Sequence, residues 1–292
     1  EWQVTLFRVG TVVIFQSSLD IDRVRAARFG LSVSYVDTSD SAAVEAALTP
    51  ASRALLIETP GNPLLGVADL AAEFEARLRR AGGEGYVRMR DFSQELFGGL
   101  AVAGASAAAP GFFDGAVTGR GMSSAAPHGS SPAPIEWDVP VMIDYTGVFD
   151  GYILDMTRMY VCGTLEPELQ RAFETALAIQ ETVAAELKPG AVCSELFVRA
   201  RSMAEAAGLA DHFMGAPGEN ARFVGHGVGL ELDEMPVLAQ GFDIPLEAGQ
   251  TIAVEPKFVF PGRGVVVIEN TFAVAAPGGE CLTVGGDPLT CL

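Results

Sequence analysis

Positive charge is scarce in this chain. Its 292 residues carry 19 Lys and Arg against 37 Asp and Glu, a formal net charge of -18. Only two of the basic residues are lysines, Lys188 and Lys257. This balance repels nucleic acid and anionic membrane surfaces and suits cations. Cysteine is also sparse: Cys162, Cys193, Cys281 and Cys291 form no CxxC pair. A chain of this length does not depend on disulfide staples, so the four read as reduced thiols of a cytoplasmic protein, and cysteine-based zinc binding is disfavoured. No apolar run approaches the roughly 18 residues of a membrane span. The first residues, EWQVTLFRVG, lack the basic-then-apolar pattern of a signal peptide, and the missing Met suits a fragment or a processed form. What is plentiful is apolar character. Hydrophobic residues make up 49% of the chain, enough for a sizeable core and too much for disorder.

The organisation changes along the chain. Up to about residue 71, strand-like GTVVIFQSS, LSVSYVDTS and SRALLIETPGNP alternate with helix-like DIDRVRAARFG and DSAAVEAALTP. That order predicts a small α/β unit with βαβ crossovers and a parallel sheet. From about residue 72 the pattern is α+β. VADLAAEFEARLRRAGGEG reads as an amphipathic helix stopped by glycines. Residues 100–134 are rich in Gly, Ala, Ser and Pro, yet contain Phe112, Phe113 and His128, so they read as ordered loops with short strands. Two helices follow a two-strand segment, the second with Ser194 as its expected cap. The remainder alternates like strands of a curved antiparallel sheet.

The segment VMIDYTGVFDGYILDMTRMYVCG, residues 141–163, places Asp144 and Asp155 in two strands. Alone, each has a simple explanation: Asp144 in a turn, Asp155 paired with Arg158. Glu255 and Glu269 recur 14 residues apart in two further strands, and His226 lies in GHGVG, where small neighbours give a ring room. The two aspartates, 11 apart, suit facing positions on a hairpin. Four carboxylates gathered in a dry site cannot all stay ionised unaided. Two divalent cations balance them, and oxygen donors with one nitrogen suit Mn, Co, Fe or Zn. Two such ions can hold a hydroxide between them and stabilise the oxyanion formed on attack.

The stretches IDYTGVFDGYILDMTR, FVGHGVGLELDEMP, IAVEPKFVFPG and VVVIENTFAV resemble the pita-bread (M24) metallopeptidases, the Xaa-Pro aminopeptidases and dipeptidases above all. The resemblance spans residues 72–285 and implies a pita-bread catalytic domain over 72–292. It implies Asp144, Asp155, His226, Glu255 and Glu269 as ligands of two metal ions, with Mn favoured. Asp155 and Glu269 bridge the ions, Asp144 completes one, and His226 and Glu255 complete the other. Glu255 also relays the proton, and His128, in AAPHGSS, hydrogen-bonds the substrate. The implied activity is removal of an N-terminal residue from peptides, with Xaa-Pro bonds as the first candidates. Peptides are the expected partners, with a homodimer as the family's habit and no nucleic acid or membrane. The competing reading is a pita-bread binding module, or a joined chain whose site assembles without activity.

Three departures stand against prolyl specificity. Asp233 occupies the place of a second, substrate-contacting histidine, Val267 stands where an Arg is common, and Asn270 where Asp is common. The stretch AARFGLSVSYVDTSDSAAVEAALTPASRALLIETPGNPLLGVADL resembles a different family, the PLP-dependent enzymes of cysteine and methionine metabolism, with Asn62 at a cofactor-proximal turn. The Asp-bearing strand and the Schiff-base Lys of that family are missing, so residues 1–71 read as an incomplete fragment and no PLP is expected.

Overall fold

The computed structural model describes residues 67–291 except 86, 88–97, 110–115, 284, 286 and 287, together with the backbone of three strands before residue 67. The chain divides into two compact units, Glu1–Gly66 and Val67–Leu292. In the first, β1 (Val4–Arg8), β2 (Val13–Phe15) and β3 (Ser32–Val36) form a sheet of order β2-β1-β3. β2 and β3 lie within two of the segments expected as strands. Both run antiparallel to β1, and so in the same direction as each other. The expected parallel pairing is corrected here: β1, an addition to the expected elements, lies between them and every described pairing is antiparallel. The helices expected at 20–30 and 40–50, the strand at 52–63 and Asn62 lie outside the described residues.

The second unit opens with α1 (Val67–Arg80), β4 (Gly99–Ala103) and the one-turn helix α2 (Gly104–Ala107). Then come β5 (Pro140–Phe149), β6 (Tyr152–Val161), α3 (Pro167–Glu186) and α4 (Cys193–Ala206). The strands that follow are β7 (Phe223–Gly227), β8 (Glu234–Ala239), β9 (Thr251–Val254) and β10 (Lys257–Phe260). The last are β11 (Gly264–Val267), β12 (Asn270–Ala273), β13 (Glu280–Cys281) and β14 (Leu289–Cys291). α1 runs unbroken through residue 72, so the division at Val67 leaves the helix whole, where the expected boundary cuts it.

One sheet has the order β14-β6-β5-β4, a second β13-β12-β9-β7-β8, and β10-β11 form a separate ribbon. Among the described residues pairing is antiparallel except between β14 and β6, which is parallel. Asp150 and Gly151 link β5 to β6 with φ of 50° and 77°. Two left-handed residues in succession match the twist of a tight hairpin, and Gly takes that conformation without penalty.

Burial explains the helices. Pro167 starts α3 where its missing N–H costs nothing. Leu169, Ala172, Phe173, Ala176, Ile179 and Val183 recur every three or four residues and are buried. That stripe packs on α4 and on the strands β9 to β11. Met142, Met159, Phe258, Phe260 and Val265 complete the same core. Each large side chain removed from water there contributes about 1.5–3 kcal/mol before entropy. Ser194 does not cap α4. The cap position is Val192, and the Ser194 hydroxyl instead donates to Asp243 Oδ1 at 2.5 Å.

Candidate metal centre

The β5–β6 hairpin carries both aspartates. Its register sets Asp144 against Thr157 and Asp155 against Thr146. The two aspartates therefore do not face each other, as their spacing suggested. They lie diagonally on one face of the hairpin, because the Asp150–Gly151 turn fixes the register.

Glu255 and Glu269 occupy breaks in a long ladder. β9 pairs with β12 through Val254 and Asn270, and β10 with β11 through Lys257 and Val267. The register is the same on both sides of the gap, so Glu255 stands opposite Glu269. Two threonines tie this ladder to the hairpin. Thr157 forms a bridge to Glu269, and its hydroxyl donates to Glu269 Oε2 at 2.6 Å. The Thr271 hydroxyl donates to the Asp155 carbonyl at 2.9 Å.

His226 lies in β7 beside Ala253 of β9. Its Nε2 is 3.4 Å from Glu255 Oε1 and 4.0 Å from Asp155 Oδ2. Its Nδ1 faces the Gly227 carbonyl at 3.0 Å and Asp233 Oδ1 at 3.3 Å. Two acceptors hold a proton on Nδ1, so Nε2 is the nitrogen turned to the cluster. The flanking glycines serve a different purpose from the one expected. Alternation turns them away from the ring, and a Cβ on Gly225 would lie 2.4 Å from the Ala253 carbonyl oxygen. They admit neighbouring backbone rather than making room for the imidazole.

Asp155, His226 and Glu269 bring one ligand atom each within 4.8 Å of one another. Asp144, Glu255, His128 and Asp233 line the same cavity. The seven residues expected at the metal centre thus line one cavity.

The electrostatics are those of crowded acids. Burial, then the charge of Asp144, pushes the Asp155 carboxyl up to about 8. Burial, then Asp155 and Asp144, holds Glu269 well above its ordinary range. Asp144 is raised by burial, against the pull of Lys257. Burial alone would raise Glu255 too, but Lys257 and His226 overcome it and hold this carboxyl at about 2. Burial would lower His226, yet its hydrogen bond to Glu255 and the surrounding carboxylates raise it well above the usual value. Burial raises Asp233, with His226 opposing, and burial lowers His128. Three buried acidic side chains and the partly buried Asp144 around a single imidazole, with that imidazole's other nitrogen occupied, fit a divalent cation.

Three residues gain roles that the sequence did not assign. Lys257 is buried, with its ammonium ion-paired to Glu255 and 3.6 Å from Asp144 Oδ2. The available signal was a charge inside the apolar strand KFVF. Arg158 does not pair with Asp155, since the two side chains leave opposite faces of β6. Its guanidinium donates to the carbonyls of Thr157 and Glu269 at 2.8 and 2.9 Å and to Asn270 Oδ1 at 2.9 Å. Asn270 in turn donates to Gln180 Oε1 at 2.8 Å, a bond an Asp there could not make.

Comparison with known proteins finds dipeptidases and an aminopeptidase among similar chains. An Xaa-Pro dipeptidase of Pyrococcus furiosus is 33% identical over 168 residues, 57% of this chain and 46% of that protein. The putative dipeptidase YkvY of Bacillus subtilis is 31% identical over 164 residues, 56% of this chain and 43% of that protein. The chain thus spans less than half the length of these curated relatives. Among solved structures, an X-Pro aminopeptidase from Thermotoga maritima aligns with a TM-score of 0.64 at 23% identity, covering 78% of this chain and 55% of that one. The prolidase from Pyrococcus furiosus aligns with a TM-score of 0.62 at 26% identity, covering 77% and 57%. The fold is the pita-bread fold. Metallopeptidase family M24 matches residues 41–276, starting before the boundary expected near residue 72. With that match spanning most of its length, the chain belongs to metallopeptidase family M24.

Proposed function

We propose that this chain is a metal-dependent exopeptidase that releases the first residue of a peptide or dipeptide, with Xaa-Pro bonds as first candidates. The observation that carries the reading is the meeting of Asp144, Asp155, His226, Glu255 and Glu269 with His128 in one cavity. The five donors would hold divalent metal, Mn by preference. When bound, the metal supplies an acidified water and a Lewis acid for the scissile carbonyl. The family resemblance implies two ions; Lys257 bears on that number and is taken up below.

The chain's own residues do the rest. Glu255 accepts the proton of the attacking water and returns it to the departing amine. Thr157 and Arg158 hold Glu269 in place through its carboxylate and its carbonyl. Asp233 and Gly227 fix the His226 ring. His128 holds the substrate beside the scissile amide. We place the protein in the cytoplasm, where the free thiols of Cys162, Cys193, Cys281 and Cys291 stay reduced. No helix among the described residues is long and apolar enough to cross a membrane. Peptides are the partners we propose, with a homodimer as the assembly; the acid excess of the chain disfavours nucleic acid.

A second reading is an assembled but inactive centre, and one observation favours it: the Lys257 ammonium rests on the proposed proton acceptor Glu255. A cleavage assay separates the two. The chain is incubated with Xaa-Pro and non-Pro peptides, with Mn and with chelator, and products are read by mass spectrometry. Chelator-sensitive loss of one N-terminal residue supports the exopeptidase. Intact peptides in the presence of bound metal favour the inactive centre.

A further inference from the structure

We infer that Lys257 is a resident cation of the metal centre and takes the place of one of its two ions. This rests on the metal-centre reading above and concerns how that centre is filled. The ammonium engages Glu255 and Asp144, two of the five expected donors. The other three, Asp155, His226 and Glu269, form a compact trio with one ligand atom each within 4.8 Å. Two carboxylates and an imidazole are a sufficient protein contribution to one divalent ion.

The division follows from strand geometry. Lys257 comes two positions after Glu255, so alternation turns both side chains to the same face. Directly across the ribbon stands Val267, apolar and buried, which offers the ammonium nothing. Phe258, Val259 and Phe260 continue the strand and are buried too. Lys257 itself is 7% exposed, so the acids of the cluster, not water, are what satisfy its charge. A dication on Asp144 and Glu255 would have to sit against the ammonium, and like charges repel strongly in a buried site. One divalent ion on the trio, with the ammonium on the remaining pair, avoids that repulsion and leaves no carboxylate without a cation.

The test counts metal, independently of catalysis. The full chain is stripped with chelator, dialysed against Mn(II) alone, and assayed by elemental analysis and electron paramagnetic resonance. The expected result is about one Mn per chain with the spectrum of an isolated ion. Lys257→Met, which frees Asp144 and Glu255, is expected to take up a second ion and show the spectrum of a coupled pair. Two ions in the wild-type chain would overturn the inference while leaving the metal centre standing. One ion in both proteins would also overturn it, because Lys257 would then not be what limits the count. No bound Mn in the wild type would remove the metal-centre reading and this inference with it. Should Lys257→Met fail to fold, Lys257→Gln serves as the second variant, and the wild-type count by itself can still refute the idea.

Discussion

Asp233 Oδ1 lies 3.3 Å from Nδ1 of His226, on the side of the ring away from the acidic cluster. A carboxylate in that place fixes both the tautomer and the tilt of a metal-binding imidazole. The sequence suggested a substrate contact for Asp233, and its side chain, about half exposed, does line the cavity. The structure adds an orienting role. Asp233→Ala is expected to weaken Mn binding roughly 10- to 100-fold without unfolding the chain. A calorimetric titration of stripped protein measures this, and an unchanged affinity would leave Asp233 with the substrate role alone.

Glu255 touches both His226 and Lys257. It is the carboxylate these neighbours keep most acidic, so it is ionised at neutral pH. Glu255→Gln keeps the shape and removes the base. Its rate of peptide cleavage is expected to fall by about 100-fold or more. Activity close to that of the wild type would give the proton relay to another residue.

Much of this site was legible because carboxylates flanked by apolar strand residues demand partners. Glu269 in VVVIENTF and Asp155 in YILDMTR both stand out on that ground. Their pairing across the chain was harder to read. The diagonal placement of Asp144 and Asp155 depends on which two residues turn the hairpin, and Asp150–Gly151 holds that information. Lys257 was passed over because its partners come from β5 and from the break after β9, and no local pattern joins them. Arg158 looked like a neighbour for Asp155, yet strand alternation sends it to Asn270 and to two backbone carbonyls. β14 pairs with β6 across more than a hundred residues of sequence, a contact that no window along the chain contains.

Arg158 makes a second kind of prediction, about stability. Its guanidinium joins the hairpin to the Glu269–Asn270 junction through three hydrogen bonds of 2.9 Å or less. Arg158→Met removes all of them and leaves two carbonyls to find other donors, while Asn270 Oδ1 keeps the hydroxyl of Thr283. The expected loss is about 3 kcal/mol. It would appear as a lower urea midpoint with an unchanged slope. A midpoint equal to that of the wild type would mean that water replaces the guanidinium without cost.

The acids of the centre also set how stability depends on pH when metal is stripped away. Asp155 is held at about 8 against an ordinary 3.8, by burial and then by Asp144. Glu269 and Asp144 are shifted the same way. Between about pH 5 and 8 the folded chain keeps a proton on Asp155 that the unfolded chain has released, and the raised Glu269 and Asp144 act in the same direction. The folded state binds more protons, so stability falls as pH rises through that window. His226, raised by Glu255 and the other carboxylates despite burial, adds a term of the same sign. His128, lowered by burial, opposes it only below about 6.5, and Glu255 only below about 4.5. The stripped protein is therefore expected to melt at a lower temperature near pH 8 than near pH 5.5. Saturating Mn(II) should reverse the order, because metal binds the ionised carboxylates and competes with their protons. Paired melting curves at the two pH values, with and without Mn, measure both effects. If the stripped protein were instead more stable at the higher pH, the clustered carboxylates would be releasing their protons without mutual cost, and the electrostatic basis for a cation there would be lost.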